Sequence, residues 1–141
     1  MIRFASLALA ALMIPLMALA QAATMYKTPW CGCCLGHAKY LEDHGFEVEI
    51  VELQPDALNE LKAERGIPAR QGGCHTLIVE GYVVEGHVPV EAIETLLEER
   101  PDITGLSLPG MPAGSPGMGG EKSAPFKIEV IGTPGKIFME V

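Results

Sequence analysis

Apolar positions along the chain recur with two different periods, and each change of period marks a new element. Met25-Tyr26-Lys27, running into Thr28-Pro29, predicts a short strand. Proline ends it, because it has no amide proton and biases the residue before it toward extended geometry. From Cys33 onward Leu35, Ala38, Tyr40 and Leu41 follow helical spacing, and Gly45 is a natural residue to close a helix of roughly three turns. Phe46, Val48, Ile50 and Leu53 then alternate with Glu47, Glu49 and Glu52, broken only by Val51, which predicts a half-buried strand. Pro55-Asp56 opens a second helix with Leu58 and Leu61 inward, stopped by Gly66 and Pro68.

Residues 69–73 read as a loop ending at Cys74-His75. Thr76-Leu77-Ile78-Val79 and Tyr82-Val83-Val84-Glu85, separated by Glu80-Gly81, carry a hairpin signal. After Gly86-His87-Val88-Pro89, residues 90–99 place Ile93, Leu96 and Leu97 on one helical face. The order is βαβ followed by ββα, with a parallel first pair joined by a right-handed crossover. That order predicts an α/β, thioredoxin-like fold. Residues 101–120 turn to Pro, Gly and small polar side chains, yet keep Leu106, Leu108, Met111 and Met118, which an unstructured linker does not need. An ordered Gly/Pro-rich loop is expected there. Residues 126–141 form a second hairpin signal around Gly132-Thr133-Pro134-Gly135, placed either to extend the sheet or to close over the site. No internal repeat is visible.

The first 22 residues change what the composition means. Arg3 precedes an apolar run over 4–20 that Pro15 interrupts, and Ala20 and Ala22 occupy the positions a signal peptidase reads. This predicts a cleaved export signal over 1–22, rather than a membrane anchor, and a single domain over 23–141. The formal charge is −8, and the leader holds one base and no acid, so the exported domain is more acidic still. Nucleic acid and anionic membrane surfaces need a basic face and are excluded as partners; a small cation is attracted.

Four cysteines in an exported chain are ordinarily expected to pair. Here Cys31, Cys33 and Cys34 crowd into four residues, so any two-disulfide scheme must bridge close neighbours. Cys33–Cys34 and Cys31–Cys33 would be strained. Cys31-x-x-Cys34 is an ordinary redox loop, and choosing it leaves Cys33 and Cys74 to each other. The thiols open a helix, whose free N–H groups and positive dipole end favour thiolate. Thiolate and thioether are soft ligands suited to Cu(I), while imidazole suits copper and zinc alike. His75 precedes a strand in the loop that faces the dithiol in a thioredoxin-like fold, His87 follows the same hairpin, and Met111 and Met118 belong to no helical or strand face. His37, one turn from Cys33 and Cys34, either shares their face or is solvated. His44 at the helix end reads as structural and Trp30 as a shield over the thiols.

Cys31-Gly32-Cys33-Cys34 after Tyr26-Lys27-Thr28-Pro29, then Cys74-His75-Thr76, the stretch Glu80-Gly81-Tyr82-Val83-Val84-Glu85-Gly86-His87-Val88-Pro89, and the Leu108-Pro109-Gly110-Met111 to Gly117-Met118 segment together resemble the CopG-like periplasmic copper-resistance proteins. The resemblance spans nearly the whole exported chain. It implies a thioredoxin-like fold, copper binding through the Cys-x-Cys-Cys group with the Cys-His pair nearby, and a redox role in copper handling. Trp30 departs from the small residue expected before the first cysteine and brings the segment closer to a thioredoxin Trp-Cys-Gly-x-Cys.

The expectation is therefore a periplasmic protein that holds copper as Cu(I), with more than one ion where thiolates bridge. Cys31, Cys33, Cys34 and Cys74 are the sulfur ligands, and His75, His87, Met111 and Met118 complete or shield the site. Its partners are copper ions and other periplasmic copper-handling proteins. Storage, transfer and copper redox cycling all remain open. The rival from another class is a thiol–disulfide oxidoreductase with Cys31 attacking and Cys34 resolving, against which Cys33 offers an unwanted mixed disulfide. A structural zinc site is the third reading, with poor tetrahedral bite from three crowded cysteines.

Overall fold

The computed structural model describes residues 20–141. The expected leader therefore lies outside the described residues except for its last positions. Seven strands form one sheet in the order β2-β1-β3-β4-β5-β6-β7. In chain order they are β1 (Gln21–Lys27), β2 (Phe46–Glu52), β3 (His75–Val79), β4 (Tyr82–Glu85), β5 (Gly105–Ser107), β6 (Lys127–Val130) and β7 (Ile137–Glu140), with helices α1 (Gly32–Asp43), α2 (Pro55–Glu64) and α3 (Val90–Glu99).

The first half follows the pattern of the sequence. β1 and β2 are parallel, with α1 as the crossover, and β1 pairs antiparallel with β3 so that Lys27 lies across from His75. β3 and β4 form the expected hairpin around Glu80-Gly81. This β2-β1-β3-β4 arrangement is the thioredoxin-like core. Met25, Leu41, Leu77, Val84, Ile93, Leu96, Leu106 and Ile128 have no exposed surface and form its centre. Each contributes about 1.5–3 kcal/mol by leaving water. The inward face of α3 is Val90, Ala92, Ile93, Leu96 and Leu97, whose three- and four-residue spacings are those of an amphipathic helix.

The second half departs from the expected loops in two places and decides between the two placements open for the last hairpin. Residues 101–120 contain a strand, β5, parallel to β4 with Val84 opposite Leu106. Three residues are too few to show a period, so Leu106 and Leu108, both buried, were the only trace of it. Residues 69–73 include a 3-10 turn at Ala69–Gln71. The last hairpin extends the sheet: β6 pairs antiparallel with β5, and β7 with β6. β2 is the outer strand, and burial falls along it, from buried Phe46 through half-buried Val48 to exposed Ile50. β1 begins at Gln21, so Gln21 and Ala22, which cleavage after Ala22 would remove, pair with Phe46 and Glu47. No helix among the described residues is long and apolar enough to cross a membrane.

Candidate metal centre

β1 ends where the thiols begin, and a buried cation fixes the join. Lys27 has no exposed surface, yet its Nζ donates to Thr28 O at 2.9 Å, to Pro29 O at 3.4 Å and to the Glu52 carboxylate at 3.1 Å. The stretch leading to the cysteines is thus held by its own carbonyls. Cys31 is the N-cap residue of α1, in extended geometry and with its N–H donated to Thr28 O. Cys33 and Cys34 lie in the first turn, Cys33 half-buried and Cys34 buried. No acidic side chain occupies that turn, so nothing opposes negative sulfur at the dipole's positive end.

Cys31 and Cys34 are joined in a disulfide, and Cys33 and Cys74 are free thiols. Cys33 Sγ lies 3.6 Å from Cys31 Sγ and 3.8 Å from Cys74 Sγ. All four sulfurs fall within 4.8 Å of one another, and Cys74 belongs to a second set of the same span with His75 and His87. The two sets share one sulfur.

Glu85, fully buried at the end of β4, pins the loop that carries Cys74 and His75 on both sides. One carboxylate oxygen accepts the N–H of Gly73 at 2.6 Å and the other the hydroxyl of Thr76 at 2.7 Å. Lys62 of α2 neutralises it in an ion pair and also donates to Thr76 Oγ1. A Cβ on Gly73 would stand 2.8 Å from the Cα of Gly86, so glycine lets this loop lie directly against the start of the His87 segment.

The imidazoles of His37, His75 and His87 cluster behind Cys74, with ring centroids 4.9–5.2 Å apart. His75 Nδ1 is 3.3 Å and His87 Nε2 3.1 Å from Cys74 Sγ. Burial dominates their titration. His37 is lowered to about 4, with the neighbouring His87 charge adding to the effect against the Val88 carbonyl, which favours the charged form. His75 is held well below its ordinary value by burial and by the facing His37 and His87, and burial lowers His87 too. Burial, followed by the nearby Cys33, pushes the Cys74 thiol up to about 12. At neutral pH the pocket holds neutral imidazoles and a protonated Cys74, all able to bind a cation once that proton leaves.

The Gly/Pro-rich segment packs on this end of α1. Pro116 O accepts the His87 Nδ1 proton at 2.7 Å. A Cβ on Gly117 would stand 2.3 Å from His37 N, and one on Gly36 2.9 Å from Gly117 O, so paired glycines permit the contact. Met118 follows directly and is half-buried, whereas Met111 is exposed at positive φ. Trp30 is 70% exposed and does not cover the thiols as expected. His44 is structural as expected, its Nδ1 2.7 Å from Tyr40 O. Of the two alternatives open for His37 the solvated one falls, since the ring is fully buried, and three groups carried no sequence signal: Lys27, Lys62 and Glu85.

The family of proteins of unknown function called DUF411 matches residues 71–118, the stretch that holds Cys74, His75, His87 and both loop methionines. No curated protein sequence matches. Two solved structures do: "Copper resistance protein copG", form 2, is 35% identical with a TM-score of 0.74, and form 1 is 34% identical with a TM-score of 0.76. In both cases the alignment covers 86% of this chain and 98% of the other. With that identity over nearly the whole of those structures, and with the cysteine and histidine sets assembled on the same fold, the chain belongs to the CopG copper-resistance family.

Proposed function

We propose that this protein is exported to the periplasm and holds copper as Cu(I) at the four-sulfur centre, contributing to copper resistance by redox cycling or transfer of its cargo. The convergence of Cys31, Cys33, Cys34 and Cys74 within 4.8 Å carries the reading. Such a soft donor set fits Cu(I) better than the harder divalent ions. Because Cys74 also faces His75 and His87, a bridging thiolate would serve more than one ion. In the full site Met118, beside the His37 contact, and Met111 supply thioether toward it.

The Cys31–Cys34 disulfide supports a redox component. Opening it takes up two electrons and adds two thiolates to the site; closing it withdraws them. In the closing direction the Cys31 and Cys34 thiolates form one S–S bond and give one electron to each of two Cu(II) ions, yielding two Cu(I). Copper here is cargo and substrate. The test is competition of the reduced, exported form against a chromophoric Cu(I) chelator. Cys33→Ser with Cys74→Ser should greatly weaken binding with the fold intact, and the disulfide form should bind fewer ions than the reduced form. Unchanged affinity in the double variant would refute the four-sulfur site.

The same disulfide keeps thiol–disulfide exchange as a second reading, with Cys31 attacking and Cys34 resolving. Cys33, 3.6 Å from Cys31, competes for the mixed disulfide. Insulin reduction should therefore be weak and suppressed by Cu(I), and Cys33→Pro should raise it. Native turnover at thioredoxin level that ignores copper would favour the enzyme.

A further inference from the structure

His37 uses both ring nitrogens, and neither faces a sulfur. Its Nε2 lies 3.0 Å from Val88 O and its Nδ1 2.8 Å from His75 Nε2. A carbonyl oxygen only accepts, so His37 Nε2 carries a proton. Between His37 Nδ1 and His75 Nε2 a single proton is shared, and its side decides the state of His75. With His37 neutral, Nδ1 is the acceptor, His75 Nε2 donates, and His75 Nδ1 is left with a bare lone pair 3.3 Å from Cys74 Sγ. The opposite direction puts protons on both nitrogens of His37. That would be a cation with no exposed surface, bonded to a carbonyl and an imidazole and to no carboxylate.

We infer that His37 is a positioning residue: anchored on Val88 O, it fixes His75 in the Nε2–H tautomer and so presents His75 Nδ1 to the ion held at Cys74. His87 is set by the same device. Its Nδ1 donates to Pro116 O and its Nε2 is left bare toward Cys74 at 3.1 Å. The two anchors come from different segments, Val88 O beside His87 itself and Pro116 O in the Gly/Pro-rich stretch. Two imidazoles thus aim lone pairs at one sulfur, where the thiol's own proton is the one that a metal ion displaces, the arrangement in which outer partners fix tautomer and orientation of a ligand. The ligand half of this inference rests on the copper reading; the tautomer half does not.

The experiment is long-range proton–nitrogen correlation on imidazole-labelled, reduced, metal-free protein at neutral pH, with Cu(I) competition on the same samples. Wild type should show His75 bare at Nδ1. His37→Gln should keep that state, because its amide oxygen accepts from His75 and its amide nitrogen donates to Val88 O. His37→Leu removes both and should give mixed His75 tautomers with Cu(I) affinity about 10–100-fold weaker. A wild-type His75 protonated at Nδ1, or a folded His37→Leu with unaltered tautomer or affinity, overturns the inference. Should His37→Leu not fold, a shifted His75 tautomer or a tenfold affinity loss in folded His37→Gln overturns it, and wild-type values support it. A wild type with the expected tautomer that binds no Cu(I) refutes the copper reading and the ligand role, leaving the tautomer assignment in place.

Discussion

Replacing Lys62 by Met tests whether the Cys74-His75 loop is held by electrostatics. The Glu85 carboxylate has no exposed side-chain surface and Lys62 only 12%, so removing the ammonium strands a carboxylate out of water. Breaking such a buried pair costs about 3–5 kcal/mol. Two donors remain, Gly73 N–H and Thr76 Oγ1, and hydrogen bonds to a charged group are worth roughly 1.5–3 kcal/mol each. They keep the loss near the lower limit, about 3 kcal/mol, which is a large share of the roughly 5–15 kcal/mol of an ordinary domain. Glu85→Gln should cost less, because the amide accepts from Gly73, donates to Thr76, and leaves a lysine that reaches solvent. The double variant buries no charge and should lie within about 1–2 kcal/mol of wild type. The assay is denaturant unfolding of the reduced, metal-free protein with the three variants in a double-mutant cycle. If Lys62→Met falls within about 1 kcal/mol of wild type at unchanged slope, the carboxylate is not stranded and the reasoning fails. Cu(I) affinity should fall with Lys62→Met, since Gly73 and Thr76 flank the ligands.

Three further outcomes follow from the same geometry. With the Cys74 thiol pushed up to about 12 by burial and by Cys33, it is protonated across the neutral range and metal must displace its proton. The lowered imidazoles are already neutral there, so Cu(I) affinity should rise with pH by about tenfold per unit from this thiol alone; chelator competition between pH 6 and 9 that shows a flat or falling trend would remove Cys74 from the ligand set. Gly117→Ala, at φ +78° with its new carbon against the His37 backbone, should destabilise by more than about 1 kcal/mol in thermal unfolding and weaken Cu(I) binding by detaching Pro116 from His87. A Met111→Leu, Met118→Leu double variant should lose sulfur scattering at the copper K-edge; an unaltered shell and affinity would make both methionines packing residues.

The periods of the apolar residues determined most of the secondary structure, because amphipathic faces follow local spacing. The three helices, β2 to β4 and the last hairpin were legible that way, whereas β1 was marked only at its end by Thr28-Pro29 and starts earlier, at Gln21. β5 was not legible, since three residues carry no period and its place beside β4 depends on pairing across a distant stretch of chain, Leu106 with Val84. The last hairpin was legible as a hairpin, but its docking against β5 was a matter of free sheet edges, which only the assembled fold supplies. At the site, the Cys31-x-Cys33-Cys34 cluster and the Cys74-His75 pair announced a thiol or metal centre, because sulfur chemistry requires sulfur close in sequence or brought close by a known arrangement. The Lys62–Glu85 pair could not be read so, and for His37 helical spacing left open whether it joined the site or faced water. A histidine on a helix and a lysine on another are ordinary surface residues until packing removes their water. Only the tertiary structure decided that His37 is buried against Val88 and His75, and that one buried carboxylate, neutralised from α2, holds both sides of the ligand loop. Burial and long-range contact set the proton and charge states of these groups, and neither is a property of local sequence.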